Sequence, residues 1–273
     1  MGKTQWISVA VAAVLLLVTY WGCPVRPPEM EAGFSRGPLE STGLESLIRA
    51  ARADLSPAQV ATLADLEERL EATTPEQEAT REEILEQLAG EWYRAGHPAI
   101  SGVYARRIAE AASTEDAWSI TATTFSLCLQ QEGIDDKTRQ FCASQAEQAY
   151  QAAISLDPKD PENRINLALT YTDYPPQDNP MKGILLLREL EKQYPENARV
   201  YTTLAQLAIK TNQLDRAAQR LEKAVELEPD NPDAVCPLAR VYENLGRQAE
   251  ATALAQRCTE IVESRRQAAA SQQ

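Results

Sequence analysis

The chain has a single histidine, and only 6% of its 273 residues are aromatic. His97 stands in Gly96-His97-Pro98 with no second histidine to share a metal and no nucleophile marked beside it, so it reads as a turn residue rather than a base or ligand. Glycine is scarce too, at 11 residues, and none forms a glycine-rich phosphate loop; neither Cys-x-x-Cys nor His-Glu-x-x-His occurs. These absences predict no catalytic, cofactor-binding or metal site, no small-molecule substrate and no enzymatic activity. Positive charge is in deficit, with 27 Lys and Arg against 40 Asp and Glu and a formal net charge of −13. No segment concentrates basic residues, which argues against a nucleic-acid partner. The carboxylates are scattered among arginines and lysines, as in Glu67-Glu68-Arg69, and read as solvated helix faces. With few aromatics and an abundance of Ala, Leu, Glu, Gln and Arg, the chain favours helix over strand.

One long stretch, Trp6 to Trp21, carries no charged residue. At about 1.5 Å per residue it reaches roughly 24 Å, close to a bilayer core of about 30 Å once Gln5, Gly22 and Cys23 are added. Trp6 at one end and Tyr20 with Trp21 at the other suit the two interfaces of a membrane. Residues 1–22 are therefore expected to be an uncleaved signal-anchor, a single transmembrane helix with the rest of the chain exported. In a bacterial cell this means the inner membrane with a periplasmic soluble part. Two other fates stay open. Gly22-Cys23 ends the run as a lipoprotein signal ends, which would make Cys23 a lipidation site, although Tyr20 and Trp21 replace the Leu and small residue of that signal; removal by cleavage lacks an Ala-x-Ala site.

Residues 23–43 hold Pro24, Pro27, Pro28, Gly33, Gly37, Pro38 and Gly43 and little apolar periodicity, which predicts a stalk. From Leu44 the pattern is helical. Leu44, Leu47 and Ile48 share a face, Ser56-Pro57 supplies a cap and a first-turn proline, and Val60, Leu63, Leu66 and Leu70 follow at helical spacing. Residues 44–75 are expected to form a capping helical hairpin.

The most regular unit runs from Ala198 to Pro229. Tyr201, Leu204 and Ala205 lie on a first helix, Ala217, Leu221 and Ala224 on a second, and Pro229 closes it. Small residues at Ala205 and Ala217 let two antiparallel helices approach, while Tyr201, Leu204 and Leu221 fill the seam. This pattern resembles the tetratricopeptide repeat, from which only Ala208 departs clearly, where that family prefers Tyr. The same spacing recurs in Leu85, Leu88, Ala89, Trp92 and Gly96, followed by Ala105 and Ile108. It recurs in Trp118, Thr121, Ala122 and Phe125 with Ala146, Tyr150, Ala153 and Pro158, and in Leu167, Ala168 and Tyr171 with Gly183, Leu187, Leu190 and Pro195. The last unit carries Val235, Leu238, Ala239, Tyr242, Gly246 and Ala251. The resemblance predicts an all-α solenoid, a right-handed superhelix of helical hairpins over 76–265 and strongest at 145–255, with a flexible tail at 266–273. Two units are stretched. Ala122 to Ala146 spans 24 residues against 12 for Ala205 to Ala217, and Ala168 to Gly183 spans 15, the surplus lying in residues 173–180.

In that family the first helices line a concave groove for a protein or peptide ligand. The resemblance places Ile165, Asn166, Leu169 and Thr172, then Arg199, Thr202, Gln206, Ile209 and Lys210, then Asp233, Cys236, Arg240 and Glu243 on its inner face. Of the Lys, Asn and Arg set with which chaperone-binding members hold a peptide carboxylate, only Asn166 and Arg199 fall on matching slots. The layout is similar to that of anchored tetratricopeptide proteins of bacterial envelopes. It implies a membrane-tethered scaffold for protein–protein interaction or complex assembly. The alternatives are a lipoprotein-type outer-membrane assembly factor, or an accessory of cytochrome c or thiol maturation.

Four of the five cysteines form two sequence pairs, Cys128 with Cys142 and Cys236 with Cys258. If each pair faces across an antiparallel hairpin, the backbones come within the roughly 5.5 Å that a disulfide requires. Small buried thiols are the competing reading.

Overall fold

The computed structural model describes residues 38–74 and 76–271. The expected anchor, Cys23 and most of the expected stalk lie outside the described residues. Among the described residues there are twelve helices and no strand, and no helix is long and apolar enough to cross a membrane.

The chain divides into two compact units between Asp54 and Leu55. In the first, α1 (Pro38–Ala53) starts within the expected stalk rather than at Leu44. Pro38 takes the first helical position, where its missing N–H removes no bond. The second unit starts at Leu55, so the hairpin expected over 44–75 is split between the two units. Its helix α2 (Pro57–Glu71) opens on a reciprocal cap, the Ser56 side chain accepting from the Gln59 N–H and the Gln59 side chain accepting from the Ser56 N–H. Leu63, Leu66 and Leu70 are buried, and α2 packs on α3 (Glu78–Arg94).

From α3 onward the second unit is a row of five antiparallel pairs. These are α3 with α4 (Pro98–Ala112), α5 (Glu115–Leu129) with α6 (Asp136–Leu156), and α7 (Glu162–Asp173) with α8 (Lys182–Gln193). They continue as α9 (Ala198–Lys210) with α10 (Leu214–Leu227), and α11 (Pro232–Asn244) with α12 (Gln248–Ala270). Each pair also packs on the next, which is how hairpins too small to enclose a core build one along an axis. Ala89, Ala122, Ala168, Ala205 and Ala239 hold one slot of the five first helices, and three residues on stand Trp92, Phe125, Tyr171, Ala208 and Tyr242. All five of this second set are buried.

Three of the five hairpins turn in the same way. The His97, Gln213 and Arg247 N–H groups donate to the carbonyls of Trp92, Ala208 and Tyr242 at 2.8–2.9 Å. The preceding residues, Gly96, Asn212 and Gly246, have φ of 83°, 56° and 76°. Gly and Asn are the residues that adopt this left-handed conformation at least cost, so the turn is written into the sequence at a fixed distance from the aromatic slot.

The α5/α6 pair absorbs its twelve extra residues in three places. Compared with α9/α10, α5 runs two residues further past its small slot, the turn at 130–135 is three longer than 211–213, and α6 begins seven residues earlier. Asp135 caps this added helix, accepting from the N–H groups of Lys137 and Thr138 at 3.0 and 3.1 Å. The extension leans on the previous hairpin through Gln131, whose Nε2 donates to the Gly96 carbonyl at 2.7 Å. Cys128 and Cys142 are joined across this added stretch as a disulfide with Cα atoms 6.1 Å apart. Cys236 on α11 and Cys258 on α12 are joined likewise, at 5.1 Å.

In the α7/α8 pair the longer connection 174–181 accompanies an unusually close approach. A Cβ placed on Gly183 would lie 2.4 Å from the Ala168 carbonyl oxygen and 2.8 Å from Thr172 Cγ2. Since the nearest atom is backbone, Gly183→Ala must push the two helices apart, at a cost of about 1–3 kcal/mol that outweighs its helix-propensity gain of about 1 kcal/mol. Urea unfolding should show the loss; an increase in stability would mean that α7 and α8 can separate freely.

Two of the joints between repeats carry a polar clasp on the aromatic slot. Tyr171 donates to Glu147 Oε1 at 2.6 Å, and Lys182 Nζ reaches the same oxygen at 3.2 Å while lying 3.9 Å from the Tyr171 ring centroid. Tyr242 donates to Glu222 Oε1 at 2.7 Å beneath Arg247, 3.7 Å from its ring centroid. Burial and the adjacent Glu222 carboxylate push the Tyr242 phenol up to about 12. Ala208 occupies the corresponding slot of α9 and can make no such clasp.

At the C-terminal end the helix persists further than the sequence suggested, through Ala270, because Gln267-Ala268-Ala269-Ala270 are all good helix formers.

Candidate functional site

Helix α9 carries the residues around which the site is arranged. Asn197 caps it, its side chain accepting from the Val200 N–H at 3.1 Å, and Asn231 caps α11 by accepting from the Asp233 N–H at 2.9 Å. These two caps fix the starts of neighbouring first helices. Between them opens a cleft of about 820 Å³. Its walls are Glu162 and Leu169 of α7, Gln193 at the end of α8, the inter-repeat turn 194–197, and Arg199, Thr202, Thr203 and Gln206 of α9. Glu228 and Asn231 from the next turn and Asp233 of α11 complete it.

Arg199 stands in the middle of this wall and is already engaged. One Nη pairs with the Glu162 carboxylate, and the other donates to Asn166 Oδ1 at 2.6 Å. Burial lowers the Arg199 pKa, while Tyr150, Asp160 and Asp233 oppose that shift, and a guanidinium stays charged at neutral pH regardless. Thr202 donates to the Arg199 carbonyl at 3.0 Å and is almost wholly buried. Asn231 also donates to Glu228 Oε2 at 2.7 Å, holding that carboxylate at the rim.

Of the groove residues expected from the sequence, Leu169, Arg199, Thr202, Gln206 and Asp233 come together in the cleft. Asn166 sits behind Arg199 as its acceptor. Ile165 does not reach the groove: it is 0% exposed and packs with Leu187, Leu190, Val200 and Leu204 in the seam, because its position on α7 faces the second helix. Lys210, Arg240 and Glu243 are exposed but lie outside the cleft wall. Burial raises the Asp173 carboxyl pKa, and the charge of Lys210 opposes that rise. Cys236 is taken by its disulfide.

The repeat spacing does not point to the inter-repeat turns, and they supply nearly half of the wall. The closing residues Pro195 and Pro229 mark these turns in the sequence, so the signal was present. His97 lies in its turn with its ring 5.7 Å from that of Trp92. Among the described residues no group of three or more His, Cys, Asp or Glu could hold a metal ion.

Paired helices joined through small-residue seams, with a cleft open across successive first helices, define a helical-repeat solenoid. Residues 214–272 match the family model described as tetratricopeptide repeat. Over 101 residues, 37% of this chain, it is 33% identical to the cellulose synthase operon protein C of Pseudomonas fluorescens (strain SBW25), and it spans 8% of that protein's length. A thermophilic TPR protein of Thermus thermophilus aligns at a TM-score of 0.47 and 18% identity, covering 74% of this chain and 97% of that one. PilW, a type IV pilus biogenesis factor, aligns at 0.45 and 18%, covering 67% and 78%.

Proposed function

We propose that this protein is a non-enzymatic scaffold that holds an extended segment of a partner protein in the cleft formed by α7, α9 and α11. The cleft carries this reading: it is open along the row of first helices, walled by polar side chains with Leu169 and Pro195 among them, and built on rigid elements. The scaffold is tethered at residues 1–22 to the bacterial inner membrane and works on the periplasmic side. The uncharged run Trp6–Trp21 supports the tether. The two cystines support an oxidising compartment, where such bonds persist. Lipidation at Cys23 is the second form of the same tether, favoured by Gly22-Cys23.

A photo-crosslinking amino acid placed at Gln206, inside the cleft, and at Gln219, exposed on α10, tests the reading in intact cells. One partner captured from position 206 and not from 219 is the expected result. Equal capture from both, or capture from 219 alone, would overturn it. Carbonate-resistant membrane association together with digestion by protease added to spheroplasts is expected for the tether and its orientation.

A further inference from the structure

We infer that the segment this cleft takes is cationic, an extended stretch of partner polypeptide with Lys or Arg at intervals; the inference rests on the cleft being the binding site. The wall holds four carboxylates, Glu162, Glu196, Glu228 and Asp233, against one cation, Arg199. Arg199 is not a ready anchor for an anionic ligand, because its charge is already paired with Glu162 and its other Nη donates to Asn166. A peptide carboxylate would have to displace Glu162 from it and leave that charge without its partner. Once the Arg199–Glu162 pair is set aside, Glu196, Glu228 and Asp233 remain, and none of the three has an ion-pair partner among the described residues.

The hydrogen-bonding balance has the same sign. Glu228 accepts from Asn231, which leaves carboxylate lone pairs to spare, and Glu196 and Asp233 are exposed acceptors. Helix α11 also contains Pro237, which has no N–H to give to the Asp233 carbonyl one turn back, so Asp233 offers a main-chain acceptor besides its carboxylate. A site rich in unmatched acceptors and negative charge is satisfied by ammonium and guanidinium groups, and it repels an acidic segment. The alternation of turn and helix around the wall spaces the carboxylates along the groove, which suits an extended ligand carrying several cations.

The chain's overall charge of −13 would attract any cation weakly, so the test separates the cleft from the bulk. Fluorescence anisotropy on the full chain in detergent would compare labelled (Lys-Ala-Ser)4 with (Glu-Ala-Ser)4. The lysine peptide is expected to bind and the glutamate peptide not to. The triple substitution Glu196→Gln, Glu228→Gln, Asp233→Asn is expected to weaken lysine-peptide binding by about tenfold or more. The triple Glu82→Gln, Glu83→Gln, Glu86→Gln on α3 removes the same charge elsewhere and is expected to change it by less than about twofold. Equal weakening by both triples, or binding of neither peptide, would overturn the inference. Glutamate-peptide binding that the cleft-filling Gln206→Trp abolishes would overturn the charge class and leave the cleft as a binding site. Lysine-peptide binding unmoved by both Gln206→Trp and the cleft triple would overturn the cleft itself.

Discussion

Trp92→Ala is expected to cost about 3–5 kcal/mol of folding free energy, more than the helix separation forced by Gly183→Ala. Trp92 is 0% exposed and fills the aromatic slot of α3, where Leu88 and Leu85 are buried beside it and His97 meets its ring edge-on. Truncation to alanine removes the largest fully buried side chain of the unit and leaves a void in a seam that has only one neighbour on each side. Trp92→Phe keeps an aromatic ring in the slot and should lose substantially less. Urea unfolding followed by circular dichroism at 222 nm reads both, and a loss of under about 1 kcal/mol for the alanine variant would show that α3 and α4 pack less tightly than this.

Reduction of either disulfide comes second, at about 3 kcal/mol for each bond, because each closes a loop of similar length in the unfolded chain. The loops span 14 and 22 residues. Cys128 and Cys142 are wholly buried, whereas Cys236 and Cys258 are partly exposed, so a phosphine reductant should release two thiols first and four only later. Timed alkylation and mass spectrometry would follow the order. A denatured but unreduced chain should present at most one reactive thiol, that of Cys23, and four or five would show that the bridges do not form.

The repeat register was legible because it rests on a local rule. A small residue followed three positions later by an aromatic locates four of the five first helices, Ala208 standing in for the aromatic in the other, and Gly96, Asn212 and Gly246 follow that slot by four in the hairpins with the short turn. The excess of twelve residues between Ala122 and Ala146 was legible as a number. Its division among helix, turn and helix was not, because Asp135 as a cap is decided by backbone geometry that neighbouring turn-forming residues blur. The cleft was half legible. First-helix slots can be carried along a sequence by spacing, which recovered Leu169, Arg199, Thr202, Gln206 and Asp233. Whether a slot faces groove or seam depends on the rotation of each helix about its axis, and Ile165 fell on the wrong side of that division. Glu162, Glu196 and Glu228 come from helix starts and turns, where no periodicity points inward or outward.

The bonds between Cys128 and Cys142 and between Cys236 and Cys258 also set how far the chain can be drawn out. Taken at about 3.4 Å per residue and less the short span across each bond, the two bridged segments withhold about 40 Å and about 70 Å of contour length. The stretch between Cys142 and Cys236 contains all of α7 to α10 and hence most of the cleft, and it has no crosslink of its own. A load applied at the ends would therefore lengthen the binding region while two segments on either side of it stay short. With the bridges open, the same chain would reach full extension about 110 Å later.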